Sequence, residues 1–86
     1  MKCQLVGYSH GSFTNKETGE VTESCTLYFI RKPKLSEIVK GSVVCRCTVY
    51  GADNIAKLPS LKENTVYDCD INTYKGKDYL NEMNLI

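Results

Sequence analysis

Residues 43–51, "VVCRCTVYG", carry the clearest strand pattern in the sequence. The segment is rich in valine, threonine and tyrosine, which pack well on a pleated surface. Apolar and polar residues alternate with the two-residue period of a strand, so one face carries Val43, Cys45, Cys47 and Val49. The opposite face carries Val44, Arg46, Thr48 and Tyr50. The pattern predicts a strand that turns its cysteine face toward a core.

Four other segments have strand-like composition, and turn residues separate them. They are residues 2–8, 24–32, 64–71 and 79–86. Residues 9–13 predict a bend or bulge, and the polar residues 14–24 predict the tip of a hairpin. A short helix is predicted over residues 52–58, ended by Pro59, and "KGKD" at 75–78 predicts a hairpin turn.

The predicted elements form one all-β domain spanning residues 1–86. Three strands, a helical connector and a two-stranded hairpin follow one another in the order of the OB-fold. That fold is a five-stranded Greek-key barrel which binds oligonucleotides across strands 2 and 3 and the neighbouring loops. Small SH3-like barrels also have five strands, so the order alone leaves both open.

Composition excludes several classes of protein. The 86 residues have a net charge of +1, too low for a strongly basic nucleic-acid coat but compatible with a local basic patch. The N-terminus lacks the apolar region of a signal peptide, and no apolar run reaches transmembrane length. We therefore expect a cytoplasmic protein with no membrane partner.

The cysteine pattern favours core packing over metal binding or a disulfide framework. There are five cysteines, an odd number, and Cys45-x-Cys47 is not the Cys-x-x-Cys spacing of zinc sites. No spacing of His10 with a cysteine, or of paired acids, marks a catalytic site, and no glycine loop would cradle a phosphate. We expect a protein that is not an enzyme and that needs no cofactor or metal.

The second half of the sequence resembles bacterial and phage single-stranded DNA-binding proteins. The resemblance covers residues 49–86: a strand ending in Gly51, an alanine- and asparagine-containing connector, the strand start Lys62-x-x-x-Val66-Tyr67, an aromatic and lysine-glycine hairpin, and a closing strand. The chain length and the long polar hairpin after strand 1 are similar to those of the small dimeric DNA-binding protein of filamentous phages. The resemblance implies sequence-tolerant binding of single-stranded DNA during phage or mobile-element replication, by a homodimer.

Alternation and the hairpin predict where such a ligand would bind. Tyrosine rings stack on bases, and lysine and arginine contact phosphates. Tyr28, Arg46 and Tyr50 are predicted on the outer faces of strands 2 and 3, flanked by the hairpin. The complete predicted nucleic-acid site is Tyr28, Arg31, Lys32, Lys34, Arg46, Tyr50, Tyr74, Lys75, Lys77 and Tyr79.

Two alternatives stay open at this point. The 14–24 hairpin carries Glu17, Glu20 and Glu23, where a DNA-binding wing is basic, and this favours a small β-barrel adaptor or inhibitor that binds a protein. An RNA-binding barrel is the weaker of the two, and the sequence does not separate RNA from DNA because contacts to the 2′-hydroxyl leave no sequence motif. Phe13 fits either a core position or a ligand contact.

Overall fold

The computed structural model describes residues 1–33, 35 and 38–86, and it confirms an all-β chain with five strands. The strands are β1 (Lys2–Thr14), β2 (Val21–Arg31), β3 (Val43–Tyr50), β4 (Thr65–Tyr74) and β5 (Lys77–Leu85). One short helix, α1 (Ala52–Ala56), lies between β3 and β4 as predicted. Within the described residues, no helix is both long enough and apolar enough to cross a membrane.

All five strands belong to one antiparallel sheet with the order β3-β2-β1-β4-β5. The central strand, β1, pairs with β2 along most of its length but with β4 only from Lys2 to Leu5. The sheet is not closed, because β3 and β5 form its two edges, although these edges approach each other in space.

One predicted feature of β1 is wrong. Residues 9–13 do not bend; Ser9–Phe13 pair in register with Thr22–Thr26, and the register shift lies earlier, between Leu5 and Gly7. Gly11 lies within the paired part of β1 and not in a turn, and it is opposite Ser24 of β2. As a result β1 and β2 form one long hairpin.

The core lies on one face of the sheet, and the alternation predicted for β3 and β4 is confirmed. Leu27 and Phe29 are buried while Tyr28 between them is exposed, also as predicted. The buried residues are Cys3, Leu5, Cys25, Leu27, Phe29, Cys45, Cys47, Tyr67, Cys69, Ile71 and Met83. Tyr67 is buried with its hydroxyl satisfied: it donates to the Ser60 carbonyl at 2.7 Å and accepts from the Lys62 N–H at 3.0 Å.

All five cysteines are buried and free, as the sequence predicts for small core residues. Burial raises the pKa of Cys47 to about 12, with Asp78 and Cys45 contributing in the same direction. Burial likewise raises the pKa of Cys69 to about 12, and the thiols of Cys3 and Cys69 are hydrogen-bonded to each other. The thiols therefore act as apolar core groups at neutral pH.

We predict that the protein loses stability at alkaline pH through Cys47 and Cys69. Above the ordinary thiol pKa of 9.0 the unfolded chain releases these protons, whereas the folded chain holds them to about 12. The unfolded state then binds fewer protons, so the free energy of unfolding falls by about 1.4 kcal/mol per pH unit for each thiol. Below pH 9 both thiols are protonated in the folded and the unfolded chain, so they do not make the free energy of unfolding depend on pH.

Urea unfolding at about pH 8 and about pH 10.5 measures this loss. The control is the double variant Cys47→Ala, Cys69→Ala, which we expect to be less stable at pH 8 but to lose less stability between the two pH values. Equal losses in the variant and the unaltered protein would contradict the assignment to these thiols.

Candidate nucleic-acid interface

The outer face of β1, β2 and β3 is the sheet surface opposite the core, and strand pairing arranges its side chains in rows. In one row Gly7, Tyr28 and Arg46 lie side by side across the three strands. The absence of a side chain at Gly7 leaves one flank of the Tyr28 ring open, since an added Cβ would lie 3.9 Å from the ring. Tyr28 and Arg46 are both exposed, so a ring and a guanidinium are available together.

The next row carries small polar side chains, so the outer face is shallow at its centre. Ser9, Thr26 and Thr48 lie side by side across β1, β2 and β3. The hydroxyl oxygens of Thr26 and Thr48 are 3.2 Å apart and hydrogen-bond to each other. This row forms a shallow floor between the Tyr28–Arg46 row and the row that carries Tyr50.

A groove of about 620 Å³ lies between the outer face of β3 and the β4–β5 hairpin, and we call it the β3–hairpin groove. Four of the residues predicted from the sequence meet in this groove. One wall carries Val44, Arg46, Thr48 and Tyr50, and the other carries Gly76, Lys77, Asp78 and Tyr79. The groove therefore has a tyrosine and a cation on each wall.

The hairpin positions its wall through a tight turn. Lys75 and Gly76 form the turn, with φ of 51° and 76°, and Tyr74 pairs directly with Lys77. Positive φ at both central residues is the geometry of a type I′ turn, which Gly76 adopts without strain. The predicted turn "KGKD" is thus shorter in the structure, because Lys77 and Asp78 already belong to β5.

The hydrogen bond from the Thr73 hydroxyl to an Asp78 carboxylate oxygen, 2.6 Å, braces the strands just below the turn. This bond occupies part of the acceptor capacity of Asp78, which is the only acid among the described residues that line the groove. The groove also has two cations, Arg46 and Lys77, so the charged side chains that line it carry a net positive charge although the whole chain is near neutral.

Tyr74 and Lys75 do not line the groove. Tyr74 is on β4, which does not approach β3, whereas β5 with Tyr79 does; the Tyr74 ring is exposed. The Lys75 ammonium lies 5.3 Å from the Tyr74 ring centroid, within cation–π range. These two predicted site residues pair with each other at the hairpin tip.

The cations at the end of β2 and just after it lie away from the groove. Arg31 donates to the Lys32 carbonyl at 3.1 Å. Both residues surround a separate pocket of about 490 Å³, together with Met1, Lys2, Gln4, Ile30 and Val66. Lys34, the remaining predicted cation, lies outside the described residues.

Phe13 joins the outer face, which sequence reasoning left undecided. Its ring is half exposed and packs edge-on against Tyr50, with centroids 6.2 Å apart and planes at 82°. The two-residue alternation could have indicated this position, since Ser9, Gly11 and Phe13 share one face if β1 continues to Thr14. The predicted bend at 9–13 ended the strand too early for that inference.

The arrangement suits binding of flat rings and anions. Exposed tyrosine rings supply stacking surfaces, and Arg46 and Lys77 supply charges at the same groove.

Across the described part of the chain, no group of three or more His, Cys, Asp or Glu side chains is placed to hold a metal ion. In comparisons with known proteins, no family model, curated protein or solved structure matches this chain.

Proposed function

We propose that this chain is an open OB barrel that binds single-stranded DNA without strong sequence preference. The observation that carries the proposal is the β3–hairpin groove, where Tyr50 and Arg46 on one wall are opposite Tyr79 and Lys77 on the other. Stacking on tyrosine depends on the flat face that every base has, so it gives affinity with little sequence preference.

The order of the elements supports the OB-fold part of the proposal. The sheet order β3-β2-β1-β4-β5 with α1 between β3 and β4 becomes a Greek-key barrel if the neighbouring edges β3 and β5 are joined. OB-folds bind oligonucleotides across strands 2 and 3 and the loops 1–2 and 4–5. The groove described above lies at β3 and the loop between β4 and β5.

The placement of the acids supports binding at this face. Asp68 is held by the N-terminal ammonium at 3.2 Å, and with Asp70 and Glu82 it lines a different pocket. Glu17 and Glu20 lie at the tip of the β1–β2 hairpin. A phosphate chain in the groove therefore meets Arg46 and Lys77 before it meets most of the acidic side chains.

Single strands fit this surface better than duplexes do. Bases in a duplex are stacked on each other and paired, so their faces are not available to tyrosine rings. Replication in a phage or mobile element, a cytoplasmic location and a homodimer remain predictions of the resemblance. An RNA ligand and a protein partner remain the alternatives, and the binding experiments below distinguish them.

We predict that the double variant Arg46→Gln, Lys77→Gln weakens binding mainly at low salt. Each phosphate contact to single-stranded DNA contributes about −0.7 to the slope of log affinity against log salt concentration. Removing two contacts should make the slope shallower by about 1.4. Fluorescence polarisation of a labelled oligo(dT) across a salt series measures the slope.

The matched control is Lys57→Gln, Lys62→Gln, which removes the same charge from exposed residues that do not line the β3–hairpin groove. We expect it to leave the slope within experimental error of the unaltered protein. If both pairs change the slope equally, the cations act through net charge, and the groove has no special role.

A further inference from the structure

A second pocket continues the β3–hairpin groove along the gap between β3 and β5, and we call it the α1–β5 pocket. Its volume of about 560 Å³ is in the range of small-molecule sites. It shares Thr48 and Tyr50 with the groove. On β5 the lining of the groove ends at Tyr79, and the lining of the pocket begins at Leu80. A strand that runs along the groove past Tyr50 therefore arrives at this pocket.

A β-bulge distinguishes the β5 side of the pocket. Leu80 pairs with Ile71 and Glu82 pairs with Asp70, so Asn81 between them has no partner on β4. Bulges of this kind change the direction of a side chain and are common beside functional sites. Asn81 is exposed and lines the pocket, and its amide forms no hydrogen bond with any other described residue. The bulge thus places an amide with all of its donors and acceptors available at the pocket wall.

A second amide lies on the α1 side of the pocket. The Nδ2 of Asn54 donates a hydrogen bond to the Tyr50 carbonyl at 2.9 Å, which fixes this side chain against the end of β3. The bond uses one of the two N–H groups, so the other N–H and the Oδ1 are available to a ligand. Asn54 and Asn81 both line the pocket, one from α1 and one from β5. The pocket therefore offers hydrogen-bond donors and acceptors from two elements.

The rest of the lining favours a flat, uncharged group over a phosphate. Val49, Leu58 and Leu80 are half-buried and supply apolar surface. Among the described residues of the lining, the charged ones are Lys57 and Glu82, and their charges offset each other. The β3–hairpin groove, in contrast, has two cations and one acid. Phosphates are therefore favoured in the groove, and the pocket suits a base.

We propose that one base of a single strand bound in the β3–hairpin groove enters the α1–β5 pocket, where Asn81 and Asn54 form hydrogen bonds with its edge. An amide has both donors and an acceptor, so this contact requires a base at one position of the strand but accepts more than one kind of base. The inference rests on the proposed function, because the strand in the groove delivers the base to the pocket.

The test compares intact oligo(dT), just long enough for one copy, with oligomers in which each position in turn is an abasic site. We expect Asn81→Leu, which keeps the side-chain shape but removes its hydrogen-bonding groups, to bind intact oligo(dT) at least about fivefold more weakly. At one position the abasic site should weaken binding of the unaltered protein but not weaken binding of the variant further. Competition fluorescence polarisation measures both affinities.

Two further variants separate the pocket from base stacking. Tyr79 lines the groove but not the pocket, so Tyr79→Ala should remove the effect of an abasic site at a different position and keep the effect at the pocket position. The matched control is Asn72→Leu, the same substitution at an exposed residue of β4 outside the pocket lining. We expect this control to show the same dependence on abasic position as the unaltered protein.

The outcomes distinguish this inference from the proposed function. Urea unfolding shows whether Asn81→Leu folds, and if it does not, Asn81→Ser removes the amide with a smaller change. Binding of oligo(dT) that does not depend on Asn81 would overturn the inference and leave the proposed function standing. So would a loss in the Asn81 variant that adds fully to the loss at every abasic position. No binding of oligo(dT) by the unaltered protein would overturn both.

Discussion

Replacing Tyr50 and Tyr79 with alanine is expected to lower the affinity for single-stranded oligo(dT) by at least about 30-fold. The two rings lie on opposite walls of the β3–hairpin groove and are 56% and 48% exposed. Base stacking on an aromatic side chain contributes about 1–3 kcal/mol, so two lost stacks amount to at least about 2 kcal/mol. Fluorescence polarisation at a fixed low salt concentration measures the change.

The matched control for this prediction is Tyr8→Ala. Tyr8 is also exposed, at 37%, but it pairs with the buried Leu27 and so lies on the sheet face opposite the groove. We expect the affinity of the Tyr8 variant to stay within about twofold, because no base on the outer face reaches it. Equal losses at Tyr8 and at the groove tyrosines would show that stacking is not localised to the groove.

Replacing Phe29 with alanine is expected to lower the free energy of unfolding by about 3–5 kcal/mol. The side chain is fully buried in β2, between the partners Leu5 on β1 and Cys45 on β3. A domain of this size has a total stability of about 4–13 kcal/mol, so the loss removes a large part of it. Urea unfolding followed by circular dichroism measures the change.

The chain's other phenylalanine is the control. Phe13 is half exposed and its ring contact is the edge of Tyr50, so Phe13→Ala should cost about 1 kcal/mol or less. If Phe29→Ala does not fold, Phe29→Leu retains most of the buried volume and should show a smaller loss. Similar losses for Phe29→Ala and Phe13→Ala would contradict the placement of the core on one face.

Local patterns predicted the faces of the strands well. The two-residue period of Val43 to Val49 requires only that the segment is extended, and the structure buries Cys45 and Cys47 as expected. The same holds for Tyr67, Cys69 and Ile71 in β4. The outer-face positions of Arg46 and Tyr50 were predicted correctly for the same reason, because the two faces of a strand follow from its own sequence.

Features that depend on where a strand ends were predicted less well. Glycine and serine at residues 9–13 suggested a break, whereas pairing with β2 holds this segment extended and carries Phe13 to the outer face. Arg31 and Lys32 are close to Tyr28 in sequence, yet the length of β2 places them at the end of the sheet, around another pocket. Single-sequence patterns contain no information about such distances between strands.

The hairpin shows the same limit at the scale of one residue. The turn occupies Lys75 and Gly76, so Lys77 is already in β5 and opposite Tyr74. Lys77 and Tyr79 line the groove because the edge strand β5 approaches β3 in space, while Tyr74 belongs to β4, which does not. The sequence "TYKGKDYL" specifies a hairpin, but the approach of the two edge strands, β3 and β5, decides which of its tyrosines can meet Tyr50.

The most direct test of the proposed function is binding of labelled poly(dT) at two salt concentrations, with duplex DNA and poly(U) as competitors. The proposed groove predicts tight binding of poly(dT) at low salt, steep weakening at the higher salt and poor competition by the duplex. Equal competition by poly(U) would assign the groove to single strands of either kind. No binding of poly(dT) at low salt would contradict the account and direct the search to a protein partner.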